Sequence, residues 1–114
     1  MSRHDDVISL RQMRDHAREA ASLSEDKTLT DLEHGRILTL ALIRLLEVAG
    51  EAANRVSPEA RSRFPGIPWV QIIGLRNRLI HGYDSIDMVI LTHILQRDLP
   101  ALIAELEASL SEDE

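Results

Sequence analysis

The chain of 114 residues contains no cysteine, which excludes disulfide bonds, thiolate catalysis and metal sites built on cysteine. Aromatic residues are nearly absent, with one Trp, one Tyr and one Phe. No apolar run approaches the roughly 18 residues that a membrane span requires, and the polar N-terminus lacks the apolar segment of a signal peptide. These absences predict a cytoplasmic protein with no membrane partner.

Charge is unevenly distributed along the chain. The formal net charge is −6, which argues against broad coating of the surface by nucleic acid. The segment from Arg55 to Tyr83 nevertheless carries five arginines and one acid, whereas the chain after Pro100 carries acids and no base. A focused basic site on an acidic body suits a small anionic target better than a long duplex. Arginines that merely populate solvated helix faces are the alternative.

Helical periodicity dominates the sequence, and sustained β-branched alternation is absent, so strands are not expected. The length suits one domain, covering residues 1–114. The predicted fold class is all-α, an antiparallel bundle of four main helices and one short helix. The predicted helices span about residues 5–23, 31–56, 58–63, 68–81 and 86–109, followed by a frayed tail at 110–114.

Local signals set the expected helix ends. Thr30 and Glu33 have capping-box spacing and predict the start of the second helix. Pro68 suits the first position of the fourth helix, and Gly82 is a natural residue just beyond its end at about residue 81. Pro100 predicts a kink or restart of the last helix immediately before it.

The helix predicted over 31–56 is apolar nearly all round from Ile37 to Ala49, which is typical of a central helix with neighbours on several sides. One polar stripe interrupts it at spacings of three and four. Its members are Arg44, Glu47, Glu51 and Asn54 or Arg55. Such a stripe requires partners. It forms either an internal ion-pair seam, the commoner outcome, or the lining of a subunit interface or cleft.

The most informative stretch is Arg76–Tyr83, which holds the single tyrosine. On a straight helix Arg76 and His81 diverge by roughly 140°, whereas Asn77 and His81 share a face. One helix therefore cannot aim both Arg76 and His81 at one small site. Two copies meeting across a two-fold axis can, so the spacing predicts a homodimer with a composite cleft.

The residue types suit cleavage of a phosphodiester. A histidine in the last helical turn is favoured in its protonated form and can act as acid or base. Arginine presents a planar fork to phosphate oxygens. RNA supplies its own nucleophile, the ribose 2′-hydroxyl, so no metal is required, and no His-x-x-x-His pair is present. The plain alternative is an Arg/His pair that only caps and packs the helix end.

Arg76-x4-His81-x-Tyr83 resembles the R-x4-H-x-Y signature of the HepT-like toxins of the HEPN superfamily, which are α-helical ribonucleases. Further matching segments follow in the family's order. They are Gly50–Ala53, Ser57–Glu59, Ile67–Trp69, Ile72–Asn77 and Asp98–Leu102. The similarity covers about residues 30–106, and the first helix matches only in pattern.

The resemblance implies a dimeric, metal-independent endoribonuclease that acts as the toxin of a toxin–antitoxin system and needs no cofactor. Carried over to this sequence, Arg76 would stabilise the transition state, His81 would transfer protons and Asn77 would support them. The implied partner is a minimal nucleotidyltransferase antitoxin that transfers AMP to Tyr83 and so silences the enzyme.

The sequence departs from the family at Asp84, which stands where an aromatic residue is common, and near Ile90, where aliphatic residues replace a tryptophan. Asp84 places a negative charge beside the expected RNA site. Glu51 is expected to hydrogen-bond an arginine of the cleft. Two other functions stay open, a non-catalytic helical adaptor that binds a nucleotidyltransferase and a purely structural bundle.

Overall fold

The computed structural model describes residues 3–81 and 85–113, with side chains for 3–80 and 85–111. In chain order, this part of the protein contains α1 (Arg3–Ser24), α2 (Leu29–His34), α3 (Arg36–Arg55), α4 (Pro58–Arg63), α5 (Trp69–Ile73), α6 (Leu75–Leu79), β1 (Ile80–His81), β2 (Ser85–Ile86), α7 (Met88–His93), a π-helical segment (Ile94–Asp98) and α8 (Leu99–Asp113). The predicted all-α class is confirmed, because the two strands hold only two residues each.

The long helix α3 is the centre of the packing. It contacts α1 on one side and α5 and α6 on the other, while α8 packs against α1. Leucine is the commonest residue of the core between these helices, with Leu10, Leu42, Leu46 and Leu106 at most 1% exposed. Each such side chain contributes about 1.5–3 kcal/mol through removal from water. The bundle therefore fixes α3 firmly and leaves α5 and α6 lying along its side.

The start of α1 is tied to the start of α4 by a buried polar contact. The Asp6 carboxylate accepts hydrogen bonds from the backbone N–H of Ser57 at 2.9 Å and from its hydroxyl at 2.7 Å. The same hydroxyl accepts the N–H of Ala60 and so caps α4, with Pro58 at the first helical position. The sequence predicted this cap, because Ser-Pro is a common helix start.

The single helix predicted over 31–56 is wrong, because α2 and α3 are separate helices that meet at Gly35, whose φ of −106° and ψ of 73° are not helical. The predicted capping box is also wrong in position. Thr28 accepts from the N–H of Asp31, and the Asp31 carboxylate accepts from the N–H of Thr28. These hydrogen bonds to Thr28 lower the pKa of Asp31. Thr28 and Asp31 have the same spacing as the predicted pair and lie two residues earlier in the chain.

The helix predicted over 68–81 is wrong in its second half. It is divided at Gly74 into α5 and α6, and α6 ends at Leu79. Ile80 and His81 then form β1, antiparallel to β2, with His81 opposite Ser85. The N–H of Asp87 donates to the Leu79 carbonyl at 2.8 Å, which closes this hairpin. The hairpin supplies hydrogen bonds to backbone N–H and C=O groups that would have been paired within α6 if that helix had continued. The expectation that no strand forms is therefore wrong at this one place.

The last predicted helix, 86–109, begins as α7 and passes through the π-helical segment before α8. The disturbance expected just before Pro100 is present as this segment, in which the Leu99 N–H bonds to the Ile94 carbonyl five residues earlier. A proline has no N–H to donate, and a widened turn accommodates the loss. The predicted frayed tail is wrong over most of its length, because α8 continues to Asp113 and Leu110 is buried.

Candidate active site

Close packing of α5 on α3 positions the Arg76 region. Gly50 of α3 is buried, and a Cβ atom there would lie 2.8 Å from the Ile72 carbonyl oxygen. Only glycine permits this approach, since a real Cβ atom does not come so near to a backbone oxygen. Gly74 then ends α5, and its N–H donates to the Val70 carbonyl at 3.0 Å. The next helix, α6, therefore begins beside α3 and carries Arg76 in its first turn.

Arg76 lies at the rim of a cleft between α3 and the α5–α6 pair. Its side chain is 70% exposed, and its Nε lies 3.4 Å from Oε2 of Glu47, whose side chain is only 21% exposed. The cleft has a volume of about 240 Å³. Its lining consists of Leu46, Glu47, Gly50, Glu51, Asn54, Ile72, Ile73, Leu75 and Arg76. The geometry thus presents one guanidinium to solvent above a partly buried carboxylate.

Glu47, Glu51 and Asn54 of the polar stripe of α3 line this cleft, so the stripe is not an internal seam. Arg44 and Glu51 form an ion pair at 3.4 Å, and both side chains are more than half exposed. Glu51 therefore pairs with Arg44, and the carboxylate that contacts Arg76 belongs to Glu47. Glu47 belongs to the stripe that the sequence predicts, but helical spacing alone does not assign it to Arg76. The spacing of Arg44, Glu47 and Glu51 held the signal, but the packing of α6 on α3 was needed to choose between the two glutamates.

The five arginines between residues 55 and 83 do not gather at one place. Arg61 donates to the carbonyl oxygens of Ala53, Asn54 and Val56 and so completes the end of α3. The other members are held separately or face elsewhere. Arg55 donates to Gln12, Arg63 lies over the ring of Phe64, and Arg78 lines a second cavity of about 550 Å³ on the other flank of α6. Of these five arginines, only Arg76 lines the cleft. The expectation of one focused basic site is therefore wrong for the other four.

Because α6 ends at Leu79, the prediction that His81 occupies a last helical turn is wrong. The homodimer with a composite cleft stays a prediction. Asn77, which is exposed on α6, does not share a helix face with His81, and the argument from the helix dipole does not apply. His81 belongs to β1, and its side chain lies outside the part of the structure that is described. Tyr83 and Asp84 also lie outside the described residues.

The part of the chain that the structure describes contains neither a candidate metal site nor a candidate membrane span. No three His, Asp or Glu side chains in residues 3–80 and 85–111 could jointly hold a metal ion. No helix in them is both long and apolar enough to cross a membrane.

The protein is thus a small all-α bundle in which an exposed arginine lies beside the central helix. The family model described as "Ribonuclease HepT-like" matches residues 13–109. The chain therefore belongs to the HepT-like ribonuclease family, and the predicted resemblance is confirmed. The predictions of an enzyme of the ribonuclease class and of RNA as its substrate are confirmed at the level of this family.

Similar proteins carry ribonuclease names. "Putative RNase MJ1380" of Methanocaldococcus jannaschii is 33% identical over 107 residues, which cover 94% of this chain and 98% of that protein. "Putative RNase TTE0752" of Caldanaerobacter subterraneus subsp. tengcongensis is 31% identical over 68% of this chain and 69% of its own. "Probable ribonuclease HepT" of Thermococcus cleftensis is 34% identical over 59% of this chain and 61% of its own. No solved structure matches the chain.

Proposed function

We propose that this protein is the toxin of a toxin–antitoxin pair and cleaves RNA at the cleft that carries Arg76. The observation that supports this most is the exposed guanidinium of Arg76, positioned over a partly buried carboxylate in a member of the HepT-like ribonuclease family. An exposed arginine fork can bind two oxygens of one phosphate. Asn77 is exposed on the same short helix and supplies a further polar group for the RNA backbone.

The proposed reaction uses the substrate's own nucleophile. His81 removes the proton from the ribose 2′-hydroxyl, the 2′-oxygen forms a bond to phosphorus and the bond from phosphorus to the 5′-oxygen breaks. A protonated histidine, the His81 of a second protomer, donates a proton to the departing 5′-oxygen. Arg76 stabilises the charge that develops on the phosphoryl oxygens. The products are a 2′,3′-cyclic phosphate and a free 5′-hydroxyl, with no water consumed and no metal ion required.

The proposed active form is a homodimer that shares a composite cleft. Support comes from the outward face of α3, where Ile37 is 86% exposed and Leu40 is also exposed. Arg44 and Glu51 continue the same face toward the cleft, since these positions recur at helical spacing. A second copy packed along α3 would cover this apolar strip, and an interface that extends along the same face to Arg44 and Glu51 would bring the two Arg76 side chains close together.

The proposed regulation is transfer of AMP to Tyr83 by a cognate minimal nucleotidyltransferase, the antitoxin. Tyr83 stands two residues after His81 in the sequence. An attached AMP would add negative charge beside the catalytic histidine and compete with RNA phosphate for Arg76. Asp84, an acid at the adjoining position, would weaken RNA binding in the same direction.

The decisive experiment incubates the protein with a mixed RNA pool in EDTA and compares it with Arg76→Ala and His81→Ala at matched folding. Intact mass first establishes that Tyr83 carries no AMP. We expect cleavage by the unsubstituted protein, with cyclic-phosphate ends, and a loss of at least about a hundredfold in each variant.

The control is Arg97→Ala, which removes an exposed arginine of the π-helical segment. It is expected to cleave at the unsubstituted rate, because Arg97 does not line the cleft. Absence of cleavage by unmodified protein would reject the ribonuclease assignment for this chain. A complex with a nucleotidyltransferase that survives both alanine substitutions would then favour the adaptor function.

A further inference from the structure

We infer that Glu47 is a positioning residue that holds Arg76 ready for phosphate, an inference that rests on the proposed cleavage at this cleft. Arg76 has one ion-pair partner among the described residues, the Glu47 carboxylate. The contact is made at Nε, one edge of the guanidinium. Within the part of the chain that the structure describes, the four N–H donors of the two terminal amino groups make no contact and can bind a ligand.

The exposure of the two side chains indicates which residue positions the other. Glu47 lies at the base of the cleft and is 21% exposed, whereas Arg76 is 70% exposed. Glu47 also belongs to the long helix α3, which packs on α1 as well as on α5 and α6. Arg76 belongs to a helix of five residues. The carboxylate is therefore the fixed member, and it restricts a long side chain that would otherwise sample many rotamers.

The length of the contact leaves room for a substrate. At 3.4 Å it is longer than the roughly 2.7–2.9 Å of a strong charge-assisted hydrogen bond. A phosphate can thus bind the free edge of Arg76 without first breaking a tight pair. Glu47 has two opposing effects, because it orients the guanidinium and its negative charge repels the RNA phosphate.

These two effects give a kinetic signature. In Glu47→Gln the orientation is weakened and the repulsion is removed. We expect kcat to fall about 3- to 10-fold, the factor associated with freeing one long side chain, while KM stays constant or decreases. A residue that only supported the fold would instead lower the amount of folded protein, and kcat per folded molecule and KM would stay unchanged. Glu47→Asp keeps the charge and withdraws it by one methylene, so its kcat should fall while its KM is retained.

Glu51→Gln is the matched comparison, because it removes the same charge from the same cleft without touching Arg76. It measures the purely electrostatic part of the effect on KM. Glu33→Gln, an exposed position on α2, serves as the distant control for both constants. A kcat for Glu47→Gln equal to that for Glu51→Gln would overturn the inference.

A second readout does not depend on cleavage. The Nε–Hε NMR signal of Arg76, assigned by its loss in Arg76→Ala, is expected to lie at a chemical shift apart from those of exposed arginines such as Arg97, because the Glu47 carboxylate lies next to Nε. In Glu47→Gln and Glu47→Asp it should move to their position. An Arg76 signal that already coincides with them in the unsubstituted protein would overturn the contact. Failure to cleave RNA would reject the proposed reaction, and the NMR result would still decide whether Glu47 holds Arg76.

Discussion

At the scale of single residues, several charged side chains of this protein hold the fold and are unavailable to a ligand. Arg61 is the clearest case, because its guanidinium donates to three carbonyl oxygens at the end of α3. A helix end leaves such carbonyls without partners, and a cationic side chain there also complements the helix dipole. The number of arginines in this part of the sequence is therefore larger than the number that RNA could contact.

Asp6 is a second charged residue that holds the fold, and unlike Arg61 it is buried. Replacing Asp6 with alanine leaves the N–H and hydroxyl of Ser57 without their acceptor in a buried position, which we expect to destabilise the protein by about 1–3 kcal/mol. Chemical denaturation of Asp6→Ala measures this loss. Glu19→Ala is the control, because it removes an exposed acid from the same helix. Equal unfolding free energies for the two variants would contradict the structural role of Asp6.

At the scale of elements, the junction of α3 with α5 decides where Arg76 stands. The approach at Gly50 brings the Ile72 carbonyl against α3, and the break at Gly74 lets α6 start in a new direction. The cleft exists because two short helices, and not one long one, lie beside α3.

Gly50→Ala tests this junction. Alanine gains about 1 kcal/mol in helix propensity, but its Cβ would collide with a backbone oxygen at 2.8 Å. Overpacking of this kind costs about 1–3 kcal/mol. We expect the free energy of unfolding to stay about the same or to decrease. RNA cleavage should clearly fall, because α5 and α6 would move away from α3.

Thermal unfolding and the cleavage assay measure both quantities for Gly50→Ala. Ala41→Gly, at an exposed position of the same helix, reports the propensity part of the exchange alone. A variant that is more stable and cleaves RNA normally would show that α5 does not approach α3 this closely.

At the scale of the whole molecule, α3 is less enclosed than its apolar sequence indicated. The expectation of neighbours on several sides holds for Leu42 and Leu46, which are buried, and is wrong for Ile37 and Leu40, which are exposed. Exposed aliphatic side chains that adjoin on one face of a helix are unfavourable in water and are typical of an interface. The proposed dimer uses this face.

Ile37→Glu is predicted to weaken the dimer at least about tenfold, because a carboxylate would have to be buried without a partner. Sedimentation or light scattering over a range of concentrations measures the change, and RNA cleavage should fall in parallel. Val89→Glu places the same charge on an exposed apolar position of α7. A dimer that survives Ile37→Glu as well as it survives Val89→Glu would place the interface elsewhere.

The sequence by itself determined the helical class, the ribonuclease family and the cap at Ser57 and Pro58. Helical periodicity and ordered motifs are properties of neighbouring residues, so they are readable without the fold. The break at Gly35, the hairpin at Ile80–His81 and the π-helical segment were decided by local competition among backbone hydrogen bonds that periodicity does not resolve. The choice of Glu47 over Glu51 as the partner of Arg76 was decided only by tertiary structure. Both glutamates lie on the same stripe, and the close approach at Gly50 places α6 beside the first of them.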